Sequence, residues 1–546
     1  MRIAKRNHVL ALIAICAVTY FLGLATHGLT NWQEGQRALV AREMQQRGEW
    51  IVPTINGEPY LAKPPMIYWC QLVSARTRSL LGGAEEVTVF DLRLTVALAG
   101  LAGVIATYFV GRRLLTAGAR ASSEQIRHAS RAAFWAAAML ATGFLYVRSS
   151  RIGEIDILIV PFVVLAIGAV FTAWRSHMDR GRTHYVAVAA AALLACAAVL
   201  AKGPPALVCI ACGAYGGIAA WSIFAREAGP GAYTRAMACL RAYGRTHPIA
   251  VLGLPLLAMW AWLRSVESRV GADAVAAAID QQASENLRLF VLESPLKNLE
   301  AMSYGVGLGS IAALIAIVWL VRDRPKLWAG AWMILAWVAV SFAAFSVMGK
   351  GVPRYLTPMW PGLALLGGMW IASLEVRASA GPRVTRAMTV AVALLAIGQG
   401  LWYGYARETW FGDRSPRAFV AELTSPVHLV NTSRLAALDL WDPRLDYYTG
   451  AHVQPYEDAG PRVGVAGVTS APVAQLLEQL RRKGGSYTLL IRAAPHPTVG
   501  TDDGNPIDRL RSIGFVVEQI EIESAFTVDN RKTPIIAVRV RAPHDD

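Results

Sequence analysis

The sequence predicts a mainly α-helical membrane protein with a soluble α/β domain after its last membrane helix. Hydrophobic residues make up 54% of the 546 residues and charged residues only 17%, whereas a soluble domain is about 25% charged. Apolar runs recur from residue 8 to residue 405, and the composition then changes to short strand-like runs separated by Pro, Gly and Asp. One aqueous core could not bury this much apolar surface, which excludes a purely soluble enzyme.

The apolar runs predict a bundle of about 11–13 transmembrane helices, because a helix needs about 20 apolar residues to cross a bilayer. The runs cover residues 8–28, 88–111, 132–147, 156–174, 184–201, 204–224, 248–263, 303–321, 327–347, 357–373 and 387–405. We predict that residues 1–405 form this transmembrane module, with long outer loops at 29–87 and 264–302.

The distribution of charge predicts the topology. The N-terminus and the alternate loops that follow it hold 21 Lys and Arg but only 5 Asp and Glu, whereas the opposite loops hold 15 and 13. Short positive loops stay in the cytoplasm, so we predict a cytoplasmic N-terminus and an outer, periplasmic position for residues 406–546. Those residues hold 16 Lys and Arg and 18 Asp and Glu. The net charge of +15 is therefore a topology signal, and no nucleic-acid partner is predicted.

Residues 406–546 are predicted to form the soluble α/β domain. The predicted strands are Val427–Val430, Tyr487–Arg492, Phe515–Ile522 and Pro534–Val540. Helix-period runs at 473–482 and 507–513 precede two of them. Helices that alternate with strands are typical of an α/β domain.

Ionisable side chains gather in the segments predicted to lie at the outer face. The candidates are Glu34, Arg37, Lys63, Asp156, Lys202, Lys350, Arg354 and Tyr355. Within residues 31–44, the apolar Ala38, Val40, Ala41 and Met44 predict an interfacial helix with a charged opposite face. Two prolines after Lys63 restrict the backbone and so fix the direction of its ammonium group.

The first outer loop resembles a known family. Glu34 is followed by Arg42-Glu43-Met44, then by Gly48-Glu-Trp-Ile-Val-Pro53, and then by Tyr60-Leu-Ala-Lys63-Pro64. This order is similar to the start of the 4-amino-4-deoxy-L-arabinose lipid A transferases, which are related to the dolichyl-phosphate-mannose protein mannosyltransferases. The resemblance continues through Ile155-Asp156, Lys202-Gly203 and Arg354-Tyr355, over roughly residues 8–405.

The resemblance implies an inner-membrane glycosyltransferase of the GT-C class, which takes a sugar from a polyprenyl phosphate at the outer face. Lipid A or a related envelope glycan is the expected acceptor. Glu34 and Asp156 fall where the family has acidic residues, and Lys63 matches a family lysine. Gln33 stands at the position of the family's leading Asp, so Glu34 becomes the candidate in its place.

The chemistry of the transfer suits these residues. A carboxylate can accept the proton of the acceptor hydroxyl, which is the role that we assign to Glu34 and Asp156. Cations can stabilise the charge on the departing phosphate. Arg37, Lys63, Lys202, Lys350, Arg354 and Tyr355 are the candidates for binding that phosphate.

Three alternative functions stay open at this point. One is a protein O-mannosyltransferase. Another is a transporter of lipid-linked glycans, which would place ionisable residues deep within the spans. The third is an inactive relative that only binds a lipid-linked sugar, because Gln33 stands in place of the family's leading Asp. No motif requires a cofactor and no metal ligand set is predicted, with a divalent cation left open. Glu285-Asn286-Leu-Arg288-Leu-Phe290 resembles a family segment in which Asn replaces the family's His.

Overall fold

The computed structural model describes residues 2–116, 121–225, 228, 231–286, 293–323, 329–348, 352–376, 381–407, 415–428, 430–438, 440–457, 470–492, 506–527 and 534–542. They form two compact units. The membrane unit comprises residues 1–24, 61–70 and 93–404, and the second unit comprises residues 25–60, 71–92 and 405–546. The division at residues 405 and 406, drawn from composition, stays a prediction.

Twenty-two α-helices lie in the described ranges. They are α1 Arg2–Cys16, α2 Trp32–Gln46, α3 Met66–Leu80, α4 Val89–Leu115, α5 Ser123–Ala141, α6 Phe144–Arg151, α7 Val160–Arg180, α8 Tyr185–Lys202, α9 Pro205–Ile210, α10 Gly216–Phe224, α11 Ala232–Thr246, α12 Pro248–Val270, α13 Ala272–Asn286, α14 Glu293–Tyr304, α15 Leu308–Asp323, α16 Ala329–Met348, α17 Trp360–Glu375, α18 Gly381–Leu401, α19 Arg417–Leu423, α20 Pro443–Thr449, α21 Val473–Lys483 and α22 Pro506–Ser512. The mainly α-helical class is confirmed.

Seven helices in the described ranges are long and apolar enough to cross a membrane, or eight if one bent pair forms a single span. The bent pair is Ser294–Tyr304 with Leu308–Arg322, which meet at 108°. Seven of the eleven predicted runs coincide with the seven helices, and the run at 303–321 falls on the bent pair. The runs at 8–28, 132–147 and 357–373 fall on helices outside this set. The chain is a multi-pass membrane protein.

Local sequence signals explain where several membrane-unit helices begin and end. Ser122 caps α5 in a capping box with Gln125, which satisfies the first free backbone amides. Proline stands at the first turn of α9 and α12, where its missing N–H costs nothing. Gly203 ends α8 at a φ of +97°, a conformation that a residue with a Cβ rarely adopts.

The second unit contains the predicted sheet domain. Its strands are β3 Leu435–Leu438, β4 Gln454–Glu457, β5 Ala471–Pro472, β6 Ser486–Arg492, β7 Val516–Ile520 and β8 Ile535–Arg541. They are ordered β5-β4-β3-β6-β8-β7. The β3, β4, β5 and β6 neighbours pair in parallel, and β8 pairs antiparallel with β6 and β7. The short hairpin β1 Thr54–Ile55 and β2 Glu58–Pro59 lies in the same unit.

Apolar side chains cover both faces of this sheet. On one face, Phe419 of α19 and Leu445 of α20 pack with Phe526. On the other, Leu480 of α21 and Leu510 of α22 pack against the sheet. The alternation of side chains along β3 supplies both cores. The α/β prediction is confirmed, although the predicted strand at Val427–Val430 is wrong, since Val427 and His428 lie in a turn.

Candidate active site

Asp156 lies on a short 3-10 turn, Ile155–Ile157, that leads into α7. The residue as a whole is buried, at 1% exposure. Because a carboxylate loses its hydration when it is buried, it needs a counter-charge or hydrogen-bond donors. The preceding Gly153 adopts a φ of +63°, which lets the chain turn sharply between α6 and α7.

Lys202 supplies that counter-charge. It is the last residue of α8, and its ammonium donates a hydrogen bond to the Asp156 carboxylate. The side chains of Lys202 and Asp156 are 7% and 2% exposed. A lysine in the last turn also faces the negative end of the helix dipole. Two charges that the sequence placed 46 residues apart thus form one buried ion pair.

Tyr355 lies over the ammonium group of this pair. Lys202 Nζ is 4.5 Å from the centroid of the Tyr355 ring, and the guanidinium carbon of Arg354 is 5.9 Å from the same centroid. Cations within about 6 Å of a ring face are attracted by its quadrupole. Both residues belong to a short 3-10 helix, Pro353–Met359. The structure therefore brings together four of the predicted residues, with one carboxylate and two cations.

Lys63 and Lys350 are the other two predicted residues of the membrane unit. Lys63 is half-buried in the segment before α3. Lys350 lies outside the described residues. Next to the pair in sequence, buried Glu154 accepts a hydrogen bond from Ser149 Oγ at 2.7 Å and pairs with Arg148 at 3.2 Å. These contacts tie Glu154 to the end of α6.

Glu34 and Arg37 lie on α2 in the second unit. Asn31 caps this helix by accepting a hydrogen bond from the Gln33 amide at 2.9 Å. Glu34 is fully buried and Arg37 is 6% exposed. The backbone amide of Thr30 lies 3.3 Å from Glu34 Oε2. The predicted helix is present, and Glu34 and Arg37 are buried within the protein instead of lying on an exposed charged face. The position of this helix at the membrane interface stays a prediction.

The surroundings of Thr30 bring further cations close to the start of α2. Its carbonyl accepts a hydrogen bond from Arg444 Nη1 at 3.1 Å, and its hydroxyl accepts one from Arg407 Nη2 at 2.8 Å. Both arginines come from the C-terminal part of the second unit. Sequence reasoning missed them, since only the fold shows that residues 407 and 444 return to residue 30.

The second half of the α2 motif fixes the loop that follows it. Glu43 accepts hydrogen bonds from the Thr54 hydroxyl at 2.8 Å and from the Asn56 amide at 2.6 Å. Arg42 donates to the Tyr447 carbonyl at 2.5 Å and stacks 3.7 Å above the Tyr447 ring. These two residues of the Arg-Glu-Met motif therefore act as supports within the second unit.

No three His, Cys, Asp or Glu side chains come together as a metal-binding group within the described ranges. The segment Glu285–Phe290 bears on this point, but residues 287–290 lie outside the described residues, and nothing is described of the side chains of residues 285 and 286.

Comparison with known proteins shows which proteins this chain is similar to. Residues 9–262 match the profile of the dolichyl-phosphate-mannose-protein mannosyltransferases. An uncharacterized protein of Aquifex aeolicus is 23% identical over 377 residues, which are 68% of this chain and 65% of that protein. An undecaprenyl phosphate-alpha-4-amino-4-deoxy-L-arabinose arabinosyl transferase of Pseudomonas fluorescens is 34% identical over 95 residues, which are 17% of this chain and 16% of the relative.

The fold has a solved counterpart. ArnT from Cupriavidus metallidurans, whose structure was determined with bound undecaprenyl phosphate, matches 97% of each chain with a TM-score of 0.66 at 16% sequence identity. The sequence matches thus span less than two thirds of the relatives' length, whereas the fold match spans nearly all of both chains. The chain thus resembles the dolichyl-phosphate-mannose-protein mannosyltransferases in sequence over residues 9–262, and it resembles ArnT in fold over nearly its whole length.

Proposed function

We propose that this protein is an integral-membrane glycosyltransferase that moves a sugar from a polyprenyl phosphate to a hydroxyl of lipid A or a related envelope glycan. The observation that carries the proposal is the buried pair of Asp156 and Lys202 beneath Tyr355. It combines a carboxylate and an ammonium, the two kinds of group that the reaction needs. The family match and the fold of a relative solved with undecaprenyl phosphate support the donor class.

The proposed step forms one bond and breaks another. The acceptor oxygen bonds to the anomeric carbon of the sugar, and the bond from that carbon to the phosphate oxygen breaks. The electron pair leaves with the polyprenyl phosphate, and the acceptor proton goes to a carboxylate. Asp156 is our first candidate for that base, and buried Glu34 is the second.

Lys202 and Arg354 take the role of stabilising the departing phosphate. In the pair described above, the Lys202 ammonium is held by Asp156. A phosphate that binds Lys202 competes for the same ammonium and so weakens its hold on the carboxylate. Binding of the departing phosphate to Lys202 would therefore free Asp156 to act as a base.

The topology of the proposal follows the charge distribution. With the basic loops in the cytoplasm, the ends of α7 and α8 that carry Asp156 and Lys202 face the periplasm. The N-terminus is then cytoplasmic and residues 406–546 are periplasmic, in the inner membrane. The prenyl chain of the donor would stay among the helices while its phosphate lies at the interface.

The test is transfer from a panel of radiolabelled undecaprenyl-phosphate sugars to an envelope-lipid extract, with a Ser/Thr-containing peptide as the alternative acceptor. Purified wild type is compared with Glu34→Gln, and exposed Glu58→Gln serves as the control in the same unit. We expect label in the lipid fraction, a loss of activity of at least tenfold in Glu34→Gln, and full activity in the control.

Three other outcomes would change the account. Label in the peptide would show that the acceptor is a protein and not lipid A or a related glycan. Movement of lipid-linked sugar across vesicles without any transfer would favour a transporter. Full activity in Glu34→Gln would remove Glu34 from the site and leave Asp156 as the candidate base.

A further inference from the structure

A second cluster of cations lies at the end of the membrane unit opposite to Asp156. Helix α7 begins after Asp156 and ends at Arg180, while α8 begins at Tyr185 and ends at Lys202. Between these far ends and the α11–α12 turn there is a cavity of about 450 Å³. Its polar and charged lining consists of His177, Thr183, Tyr185, Arg241, Arg245 and His247.

The lining of this cavity is suited to an anion. Arg241 and Arg245 lie one turn apart on α11, where two like charges repel each other unless an anion lies between them. Arg245 Nη1 donates to the Thr183 hydroxyl at 3.3 Å. His177 Nδ1 is buried and has no hydrogen-bond partner among the described residues. None of the residues that line the cavity is acidic.

An apolar groove continues from the same cavity. Gly244 and His247 line both spaces, and the groove, of about 890 Å³, runs along the first turns of α12. Ile249, Gly253 and Leu257 follow one another at intervals of four residues and so share a helix face. Ile249 is 88% exposed and Leu257 is 59% exposed. A side chain at Gly253 would meet only Ile249 within 4 Å, so the groove is open there.

The turn between α11 and α12 contains His247, which lines both the cavity and the groove. His247 has a φ of +48°, one of two positive values at non-glycine residues in the described part of the chain. This strained turn places the imidazole beside Tyr185, with ring centroids 6.0 Å apart. A cationic cavity that opens into an apolar groove on a membrane helix is complementary, in shape and in charge, to a lipid with a phosphate headgroup.

We propose that this site binds one anionic glycerophospholipid, with its phosphate between Arg241 and Arg245 and an acyl chain along Ile249, Gly253 and Leu257. Its position at the opposite end of α7 and α8 separates it from the donor phosphate at Asp156. The charge of the arginines selects an anionic headgroup, and the groove selects a lipid over a free phosphate ion.

The test is native mass spectrometry of the full-length protein released from detergent with phosphatidylglycerol or with phosphatidylcholine of the same acyl chains. We expect wild type to retain phosphatidylglycerol preferentially. The preference should fall about fivefold for each arginine removed in Arg241→Gln and Arg245→Gln. Arg245→Lys keeps the charge and should keep most of the preference.

Arg235→Gln is the matched control, because Arg235 lies on the same helix but its guanidinium donates to the Ile223 carbonyl at 2.8 Å. Gly253→Leu should lower retention of the lipid by filling the groove. Equal retention of both lipids by wild type, or an equal loss in Arg235→Gln, would overturn the proposal. Displacement of phosphatidylglycerol by millimolar inorganic phosphate would overturn the proposal that a lipid is the ligand and would indicate a binding site for the free ion.

Discussion

Asp156 and Lys202 form a buried ion pair that joins the turn before α7 to the last residue of α8. The ammonium also lies 4.5 Å from the centroid of the Tyr355 ring. The pair holds a carboxylate and a cation in contact at one end of the membrane unit. Because both are almost fully buried, each depends on the other for its compensation. This dependence makes the pair sensitive to single substitutions.

Lys202→Met should destabilise the protein by about 3–5 kcal/mol, because it leaves the Asp156 carboxylate buried without a counter-charge. Combining it with Asp156→Asn removes both charges, so the double variant should be more stable than the single one. Thermal unfolding of the detergent-solubilised chain measures both. Equal losses in the single and double variants would show that the pair carries no such dependence.

Glu43→Gln should loosen the hairpin after α2. The carboxylate accepts from Thr54 and Asn56, and the loss of such charged hydrogen bonds costs about 1.5–3 kcal/mol. Amide hydrogen exchange across residues 54–59 should speed up in this variant. Exposed Glu58→Gln, within the hairpin itself, should leave exchange unchanged, and an equal effect of both substitutions would contradict the assigned role of Glu43.

Gly368→Val should separate two packed helices of the membrane unit. A Cβ at this position of α17 would collide with the Ala132 carbonyl oxygen and lie 2.9 Å from Ala136 Cβ on α5. Overpacking of this kind costs about 1–3 kcal/mol. Gly398→Ala is the contrast, since nothing lies within 4 Å of a Cβ there. A helix-interior alanine should stabilise α18 by about 0.5–1 kcal/mol. Thermal unfolding checks both predictions, since Gly368→Val should melt below wild type and Gly398→Ala above it.

His452 should make the second unit more stable in mild acid. Burial alone would lower the pKa of His452. The hydrogen bond to Asp446 and the negative charge of that carboxylate together outweigh burial, so the pKa of His452 lies above its ordinary value. A raised pKa gives stability that is present below about pH 6.5 and lost as the pH rises through the folded value.

Hydrogen exchange over residues 446–456, corrected for the intrinsic rate, should therefore be slower at pH 5.5 than at pH 7.5. His452→Gln should remove that difference while leaving the rest of the second unit unchanged. A pH dependence that survives the substitution would assign the effect to another group.

The sequence predicted the membrane bundle and the end at which Asp156 and Lys202 lie, because polar residues that interrupt apolar runs mark the ends of spans. It could not predict their ion pair. The two residues are 46 positions apart, and contact between them depends on how α7 and α8 pack.

The second unit shows the same limit. The strands at 486–492, 516–520 and 535–541 were predictable from their β-branched and aromatic residues. Strand β3 reads Leu-Ala-Ala-Leu, and alanine is depleted in strands, so its position was missed. The burial of Glu34 was missed because α2 packs within its unit on α20, which lies about 400 residues further along the chain.

In the proposed reaction, Asp156 takes part directly in the transfer. The most direct test of this role is the release of undecaprenyl phosphate from a labelled donor in the presence of acceptor, measured for wild type, Asp156→Asn and Glu375→Gln. Glu375, the last residue of α17, is also a buried carboxylate, and it accepts hydrogen bonds from Trp135 Nε1 and Thr385 Oγ1. We predict at least a hundredfold slower release by Asp156→Asn and near wild-type release by Glu375→Gln. Equal release by Asp156→Asn and wild type, with both folded, would contradict the claim.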